Sequence, residues 1–400
     1  MPRRLREFYY ITHIQNLPSI FKEGILSHAE IERRGVQPVT VYDPGVVAWR
    51  QQKKTPAGLS LWEYANLYFN ARNPMLYRLV RCEYKDKVTE IVVLGVRKQV
   101  LNAPGAFVTT GNAARSETEI ISREKWRDRA AEILKGVDVK WWSEADGSKR
   151  RIMTEALIPR YVPPEMIDTV YVANDEARDR VLELLRGRVR PLPSIVPQPY
   201  MFFMPTRVYT ITPTLQLVAG DMFFSRMQTL TISVNIVGVM GKGLASRAKY
   251  QFPDAYVVYQ DACRKKKIAP GRPYLYKREA SLDVALADDT FPLPPMNRRT
   301  WFLFFPTKRH WRQRSRIEDI EAGLDWIVRH YQQEGIESLA LPALGCGLGG
   351  LEWAEVGPLM CRYLSHLNIL VHIHLPLERN LPEEQLRPEF LLASESSEDA

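Results

Sequence analysis

Two glycine-rich loops in the C-terminal half of the chain carry residue types that bind diphosphates. They cover residues 234–245 (VNIVGVMGKGLA) and 341–351 (LPALGCGLGGL). Each loop follows a short aliphatic run and precedes a helical pattern, so its backbone N–H groups can point at an anion. Between the loops, the apolar run WFLFFPTK ends at Lys308, at the strand end where ligands of open α/β sheets bind. These features predict a nucleotide site with an amine beside it.

A carboxylate in an apolar segment is the main candidate for chemistry in the N-terminal half. Glu155 lies in the run RIMTEALIP. An unpaired carboxylate in such a strand would be costly, so its presence requires a reason. The alternative is an ordinary glutamate on the exposed face of a strand.

The elements that must position these residues differ between the two halves. In the C-terminal half, strands and helices alternate, at 230–236, 242–252, 301–305, 315–334, 337–342, 351–366 and 369–374. This alternation predicts a three-layer α/β/α domain. In the N-terminal half, helices at 19–23 and 123–134 mix irregularly with short strands, at 90–96, 151–158 and 169–172. This mixture predicts an α+β domain.

A proline-dense stretch at 186–205 marks the joint between the domains, because it suits neither a helix nor a central strand. We assign 200–203 to a last edge strand, which gives domains at 1–203 and 207–378 with a linker at 204–206. So short a linker favours a defined contact between the two domains. The acidic residues 379–400 are predicted to form a disordered tail.

Composition excludes several classes of protein. No apolar run approaches ~20 residues, and the N-terminus lacks the apolar stretch of a secretory signal, so we expect a cytoplasmic protein without a membrane partner. The four cysteines lack C-x-x-C spacing, so neither disulfides nor a metal site is expected. The net charge is +9, and nearly all of the excess lies in residues 1–206. That excess fits a nucleic-acid substrate and an ordinary solvated surface equally well.

The C-terminal half resembles macrodomains of the DarG antitoxin type. The matching motifs are VAGD at 218–221, the first loop, FPTKRHW at 305–311 and the second loop, in that order. Isolated glycine-rich turns are often mere connections, but the two loops and FPTKRHW, three motifs in order, outweigh that interpretation. The resemblance implies an ADP-ribose site with Asp221 at the adenine and Asn235 at the distal ribose. The implied diphosphate-loop residues are Gly238, Gly241, Gly243, Gly345, Cys346, Gly347 and Gly349.

The N-terminal half, about residues 5–203, resembles DarT-type DNA ADP-ribosyltransferases. The matching blocks are FYYITHIQNLPSI at 8–20, followed by GIL at 24–26, and LYFNARNPMLY at 67–77. The resemblance implies the ADP-ribosyltransferase fold, NAD as co-substrate and His13 at the nicotinamide ribose. Four more residues are assigned to the NAD pocket: Thr12, Asn16, Tyr68 and Tyr77. Arg72 is a secondary candidate, although aromatic and flanking residues at such spacing are more often part of a core.

The same resemblance gives Glu155 a catalytic role. Cleavage of the nicotinamide glycosidic bond passes through an oxocarbenium-like cation, which a nearby carboxylate stabilises. Arg50 would lie near the NAD phosphates or the acceptor base. Its loop departs most from the family pattern, so Arg33 or Arg34 could fill the same position. Because a base must be unpaired to be modified, single-stranded DNA is the expected acceptor, and the choice between thymidine and guanosine stays open.

Lys308 is predicted to reverse the modification. As a nucleophile it would attack the ribose anomeric carbon of ADP-ribosylated DNA, and burial would help to deprotonate it; the alternative is a lysine that only pairs with a phosphate. The chain is thus predicted to be a fused toxin and antitoxin, with transferase and glycohydrolase activities. The alternatives are an enzyme acting on RNA or protein, or a catalytically silent ADP-ribose reader tethered to nucleic acid.

Overall fold

The computed structural model describes residues 5–41, 49–288, 299–376 and 380–393. The chain forms two compact units. One comprises Met1–Phe203 with Asp283–Met296, and the other comprises Met204–Leu282 with Asn297–Ala400. The segment Asp283–Met296 therefore belongs to the first unit, although its sequence neighbours belong to the second. The prediction of one continuous domain at 207–378 did not include this change of unit.

The first unit is built on an eight-stranded sheet with the order β10-β9-β4-β1-β3-β7-β5-β6, and the pair β2–β8 lies apart from it. Its strands are β1 Glu7–His13, β2 Ile25–Leu26, β3 Tyr64–Tyr68, β4 Ile91–Arg97, β5 Phe107–Thr109, β6 Ile120–Ser122, β7 Glu155–Pro159, β8 Tyr161–Val162, β9 Ile167–Val172 and β10 Ser194–Pro197. Its helices are α1 Leu17–Glu23, α2 His28–Arg34, α3 Pro74–Arg78, α4 Arg123–Val137, α5 Ser148–Arg151 and α6 Asp175–Leu185.

Neighbouring strands of this sheet run antiparallel except for the parallel pair β9–β10. The central strands are buried on both faces, as the run IVVLGV of β4 requires. Aliphatic residues of the sheet pack with those of α1, α4 and α6 in one core. The expectation of an α+β domain is confirmed.

Two local predictions in this unit are wrong. The strand predicted at 151–158 begins only at Glu155, because α5 extends to Arg151 and the Thr154 hydroxyl donates to the Arg151 carbonyl, which closes a turn. The predicted edge strand at 200–203 is instead a 3₁₀ helix, Pro199–Phe202. Proline at its first position has a φ already suited to a helical turn. The last edge strand is β10.

The second unit contains a seven-stranded sheet with the order β11-β12-β17-β16-β13-β15-β14, parallel in its five central strands and antiparallel at both edges. Its strands are β11 Arg207–Thr210, β12 Leu215–Ala219, β13 Thr229–Asn235, β14 Tyr274–Tyr276, β15 Trp301–Lys308, β16 Ser338–Pro342 and β17 Leu370–His374. The helices from here to the end of the chain are α7 Gly243–Gln251, α8 Pro253–Arg264, α9 Leu282–Leu286, α10 Ile317–Glu334, α11 Trp353–Leu364 and α12 Pro388–Leu391.

The residues of β15 show why this unit has three layers. Successive side chains of a strand point to opposite faces of its sheet. Leu303 and Phe305 pack into the core that includes α10 and α11, whereas the ring of Phe304 lies 5.5 Å from that of Tyr259 on α8. An all-apolar strand covered by helices on both faces confirms the predicted α/β/α arrangement.

Part of the predicted disordered tail is ordered. Residues 383–386 form a 3₁₀ helix and α12 follows it. Leu386 and Leu391 are buried in the core of the second unit, and the Trp353 indole donates to the Gln385 carbonyl at 3.1 Å. The acidic residues suggested a solvated chain, but the leucines between them supply the apolar surface that orders this part. Residues 377–379 and 394–400 lie outside the described residues.

Across the described ranges, no helix combines the length and apolarity needed to cross a bilayer. In the same ranges, no group of histidine, cysteine or acidic side chains is arranged to hold a metal ion.

Candidate active sites

Glu155 is the most tightly held charged side chain of the first unit's candidate site. It begins β7 and is 1 % exposed. Arg50 Nη1 lies 2.9 Å from its Oε2 and 3.3 Å from its Oε1, and the N–H of Ala113 donates to Oε1 at 3.0 Å. A buried, paired carboxylate with a fixed orientation is not the solvated strand glutamate of the alternative interpretation.

Arg50 is the arginine that pairs with Glu155. It lies on a helical turn at residues 49–52, is 6 % exposed, and its Nη2 is buried without a partner in the described chain. Arg33 and Arg34 instead pair with Glu30 and hold α2 in place. Arg50 is therefore the arginine that the fold brings to Glu155, with one N–H group left for a ligand.

A loop at residues 109–118 completes this site, and the sequence interpretation missed it. The hydroxyl of Thr109 accepts from the N–H of Glu155 at 2.8 Å, and the same loop supplies the Ala113 N–H. Lys53, three residues after Arg50, donates to the carbonyl of Arg115 at 2.6 Å. The loop has no charge or glycine pattern that marks it; only the pairing of β5 with β7 brings it to the carboxylate.

The ring nitrogens of His13 are both engaged. Nδ1 accepts from the N–H of Gln15 at 3.2 Å, and Nε2 lies 3.3 Å from Glu90 Oε2. Because Nδ1 is an acceptor, the proton of a neutral ring is on Nε2 and is donated to Glu90. His13 ends β1 and Glu155 begins β7, with β3 between the two strands; within the described chain no hydrogen bond joins them. Glu90 is a partner that the sequence interpretation did not identify.

Thr12 and Asn16 are also buried and bonded to the protein. The Asn16 amide donates to the Thr12 hydroxyl at 3.0 Å and to the Val39 carbonyl at 2.8 Å, and its oxygen accepts from the Val39 N–H. These bonds anchor the segment after α2. The predicted contacts of Thr12 and Asn16 with NAD stay predictions, whereas their structural role is visible.

The two predicted pocket tyrosines have different surroundings. Tyr68 is the strand partner of Glu155, and burial together with that carboxylate raises the pKa of its hydroxyl well above the usual range. Tyr77 is 1 % exposed and donates to Asp283 Oδ1 at 2.5 Å. It therefore belongs to a buried cluster, and its predicted contact with NAD stays a prediction. Arg72 stacks on Tyr200 at 4.1 Å and also belongs to the packing of this unit.

In the second unit, Lys308 ends β15 directly beside Asn235, its strand partner on β13. Its Nζ donates to the Leu348 carbonyl at 2.5 Å. Burial alone lowers the pKa of this amine. Next to Lys308 in sequence, Phe304 and Phe305 are buried in the sheet, whereas Trp311 is 47 % exposed. Trp311 stacks with His310 and Arg312.

Asn235 organises the first glycine-rich loop. Its side-chain oxygen accepts from the N–H groups of Val237 and Val239 and from the Tyr259 hydroxyl. Its side-chain amide donates to the Val239 carbonyl at 2.6 Å. Gly238 and Gly243 adopt positive φ, which glycine tolerates best. A Cβ added to Gly241 would meet only Val239 Cγ1, at 3.9 Å, which leaves room for a ligand. The ribose contact of Asn235 stays a prediction.

The second loop presents unused backbone donors. The N–H groups of Gly347, Leu348 and Gly349 have no partner among the described residues. A Cβ on Gly349 would lie 2.3 Å from the Gly345 carbonyl oxygen, so the close turn requires glycine there. The Cys346 N–H closes the turn by donating to Ala343. That donor is bonded within the loop, and the predicted contact of Cys346 with the diphosphate stays a prediction.

Asp221 follows β12, and its carboxylate is already paired. It accepts from the Phe223 N–H at 3.1 Å and lies 2.6 Å from Arg247 Nη1. Arg247 also stacks over the Phe223 ring, and its Nη2 is buried without a partner in the described chain. The predicted adenine contact would thus share Asp221 with Arg247. His374 is 6 % exposed, and its Nδ1–H donates to the Gly220 carbonyl at 3.0 Å. Burial lowers its pKa to about 4.

The first unit thus has a mixed sheet with a charge-paired glutamate of the ADP-ribosyltransferase type, and the second has the sheet and loops of a macrodomain. Family models agree: residues 9–203 match "ssDNA thymidine ADP-ribosyltransferase, DarT", and residues 233–360 match the Macro domain.

Full-length relatives contain both units. The DNA ADP-ribosyl transferase-DNA ADP-ribosyl glycohydrolase fusion protein of Thermosipho africanus (strain H17ap60334) is 54% identical over 391 residues, 98% of this chain and 99% of that protein. The solved structure of Thermosipho africanus DarTG in complex with ADP-ribose has a TM-score of 0.90 and 53% identity, covering 97% of this chain and 100% of that one. The DNA ADP-ribosyl glycohydrolase of Thermus aquaticus is 36% identical over 165 residues, 41% of this chain and 42% of that protein. The chain belongs to the family of fused DNA ADP-ribosyl transferase and glycohydrolase proteins.

Proposed function

We propose that the first unit transfers ADP-ribose from NAD to a base of single-stranded DNA and that the second unit removes it. Two observations carry the proposal. One unit has a buried glutamate paired with an arginine, and the other has a partly buried amine beside loop N–H groups that have no partner among the described residues. The family description names thymidine, which makes it the first base to test. The cytoplasm, where NAD and DNA both occur, is the proposed location.

In the transfer step, the bond between nicotinamide and the ribose anomeric carbon breaks, and nicotinamide leaves with the electron pair. The Glu155 carboxylate stabilises the cation that develops on the sugar. A nitrogen of the acceptor base then forms the new bond to the anomeric carbon, and its proton passes to the carboxylate. The unpaired Nη2 of Arg50 is placed to donate to an oxygen of NAD or of the base.

In the removal step, the neutral amine of Lys308 attacks the same anomeric carbon, and the bond to the base breaks. The base leaves with the electron pair and takes a proton, and water then hydrolyses the sugar–lysine intermediate. The N–H groups of Gly347, Leu348 and Gly349 are placed to bind the diphosphate. Asp221 with Arg247 forms the adenine end of the proposed site.

Mass spectrometry of short oligonucleotides tests the transfer. The Lys308→Ala protein is incubated with NAD and with single-stranded oligonucleotides that each contain one kind of base. ADP-ribose should accumulate on the oligonucleotide that contains thymidine. The Glu155→Gln, Lys308→Ala double variant should leave every oligonucleotide unmodified. Glu132→Gln, on the exposed side of α4, is the matched control. Equal labelling with and without the Glu155 carboxylate would reject the transferase assignment.

The removal step has its own test. Purified ADP-ribosylated oligonucleotide is added to the Glu155→Gln protein, which should return it to the unmodified form. With Lys308→Ala in addition, it should persist. If the double variant still restores the oligonucleotide at the same rate, Lys308 only binds the ligand and is not the nucleophile.

A further inference from the structure

Among the described residues of the first unit, Trp49 has an exposed aromatic ring without a protein partner. Its side chain is 70 % exposed. The other exposed rings of this unit, Tyr161 and Tyr200, are covered by Arg34 at 5.3 Å and by Arg72 at 4.1 Å. Trp49 makes no ring or cation contact with the described chain. A large indole left in water without packing suggests a surface that a ligand covers.

The position of Trp49 is fixed by its neighbour. Arg50 is buried against Glu155, and successive residues of a helix point about 100° apart. The turn is closed by a hydrogen bond from the Lys53 N–H to the Trp49 carbonyl at 3.2 Å. The ion pair therefore anchors the turn, so the exposed indole is one residue from the arginine that contacts Glu155.

Positive charge and the loop of the site surround this position. Lys53 ties the helical turn to the Arg115 carbonyl at 2.6 Å, in the loop whose Ala113 N–H binds Glu155. The side chains of Lys54 and Arg115 are exposed. An unpaired aromatic ring among cations is the combination that binds single strands, because bases stack on the ring while cations follow the phosphates.

We propose that Trp49 is a stacking platform for a nucleobase of single-stranded DNA, next to the base that receives ADP-ribose. The proposal rests on the proposed transferase function and adds a binding subsite to it. The occupant must be unpaired, because a base within a duplex has both faces covered by its neighbours. Trp49 thereby favours single-stranded over double-stranded acceptors without touching NAD.

Labelling kinetics test the platform, in the Lys308→Ala background so that product accumulates. Trp49→Ala should raise the KM for a single-stranded oligonucleotide by roughly five- to a hundredfold, the loss expected for one stacked base. The KM for NAD should stay within twofold, and Trp49→Phe should recover most of the DNA affinity. Tyr161→Ala, which removes an exposed ring already covered by Arg34, is the matched control and should leave the KM for DNA unchanged.

A fluorescence measurement gives an independent readout. Single-stranded oligonucleotide should quench part of the tryptophan emission of the parent protein. This quenching should not occur in Trp49→Phe, and the corresponding duplex should not quench the parent protein. An unchanged KM for the oligonucleotide in Trp49→Ala, or quenching that persists in Trp49→Phe, would overturn the platform. Absence of labelling in the parent itself would instead reject the transferase function, so the two failures are distinguishable.

Discussion

The two candidate sites hold their reactive groups in opposite ways. Glu155 is almost fully buried and is fixed by Arg50 and by the Ala113 N–H. Lys308 is partly exposed, and its amine donates to the backbone carbonyl of Leu348. The first site is built by side-chain charge and the second by glycine-rich backbone.

The difference follows from the protonation state that each reaction needs. A carboxylate that stabilises a sugar cation acts through its negative charge, and the adjacent guanidinium of Arg50 orients it by hydrogen bonding. A nucleophilic amine must lose its proton, so an acidic partner would be harmful. In the described chain, burial is the cause that lowers the pKa of Lys308, and a neutral carbonyl orients it.

The largest effect is expected when the charge pair of the first site is broken. Arg50→Ala leaves Glu155 buried without its cation, which should cost about 3–5 kcal/mol of stability and abolish DNA labelling. Arg33→Ala removes a guanidinium that is half exposed and should cost at most about 1 kcal/mol. Urea unfolding and oligonucleotide labelling give the two readouts. Similar losses for both variants would mean that the buried pair has no special role.

The second site should be most sensitive to its backbone. In Gly349→Ala, the new Cβ would lie 2.3 Å from the Gly345 carbonyl and 2.4 Å from Ser315 Oγ. Such overpacking costs about 1–3 kcal/mol, and we expect ADP-ribose affinity to fall about tenfold or more. Gly347→Ala is the control, since a Cβ there meets no atom within 4 Å. Calorimetric titration with ADP-ribose compares them; a loss confined to Gly347→Ala would instead show that the ligand occupies that space.

The pH dependence of removal should separate the two sites further. Burial lowers the pKa of Lys308 below the ordinary lysine value of 10.5. The neutral amine therefore becomes the main form at a pH lower than 10.5. Single-turnover removal of ADP-ribose from an oligonucleotide should therefore accelerate with pH and reach a plateau below that value. Lys308→Arg, which keeps the charge, should be inactive throughout. A rate independent of pH from 6 to 10 would contradict the role of the free amine.

The sequence predicted the second unit more completely than the first, and the reason is physical. Backbone sites require glycine at set positions, so the two loops and Lys308 were recognisable as short motifs. Side-chain sites are assembled from distant residues. The contacts of Glu155 with Arg50 and with the loop at 109–118 depend on strand pairing, so they left no local pattern. Arg247 and Glu90, the partners of Asp221 and His13, were missed for the same reason.

Burial explains the remaining differences. Tyr77 matched a motif, but its position in an aromatic cluster was not visible from spacing. The tail was expected to be disordered from its charge, whereas Leu386 and Leu391 decide its structure by entering the core. Segment Asp283–Met296 leaves the second unit for the first, and nothing in its composition marked that change.

The smallest effect should come from a charge cluster of the first unit that is outside the candidate site. Glu30 accepts from Arg33, Arg34 and Arg160, and the bond from Arg160 is the main cause that lowers its pKa to about 2. A carboxyl group whose pKa is lower in the folded state stabilises the fold above its unfolded pKa of 4.5, and this contribution is lost as the pH falls toward 2.

Glu30→Gln should therefore lower stability by only about 1 kcal/mol near neutral pH, because its arginine partners are largely exposed. The difference from the parent in urea midpoint should shrink as the pH falls from 5 to 3, while labelling at neutral pH stays unchanged. A loss of labelling comparable with that of Arg50→Ala would show that charge pairs throughout the unit, rather than the buried one alone, set up the carboxylate. If Glu30→Gln retains its labelling activity, the buried pair of Arg50 and Glu155 is the charge pair that the transfer reaction requires.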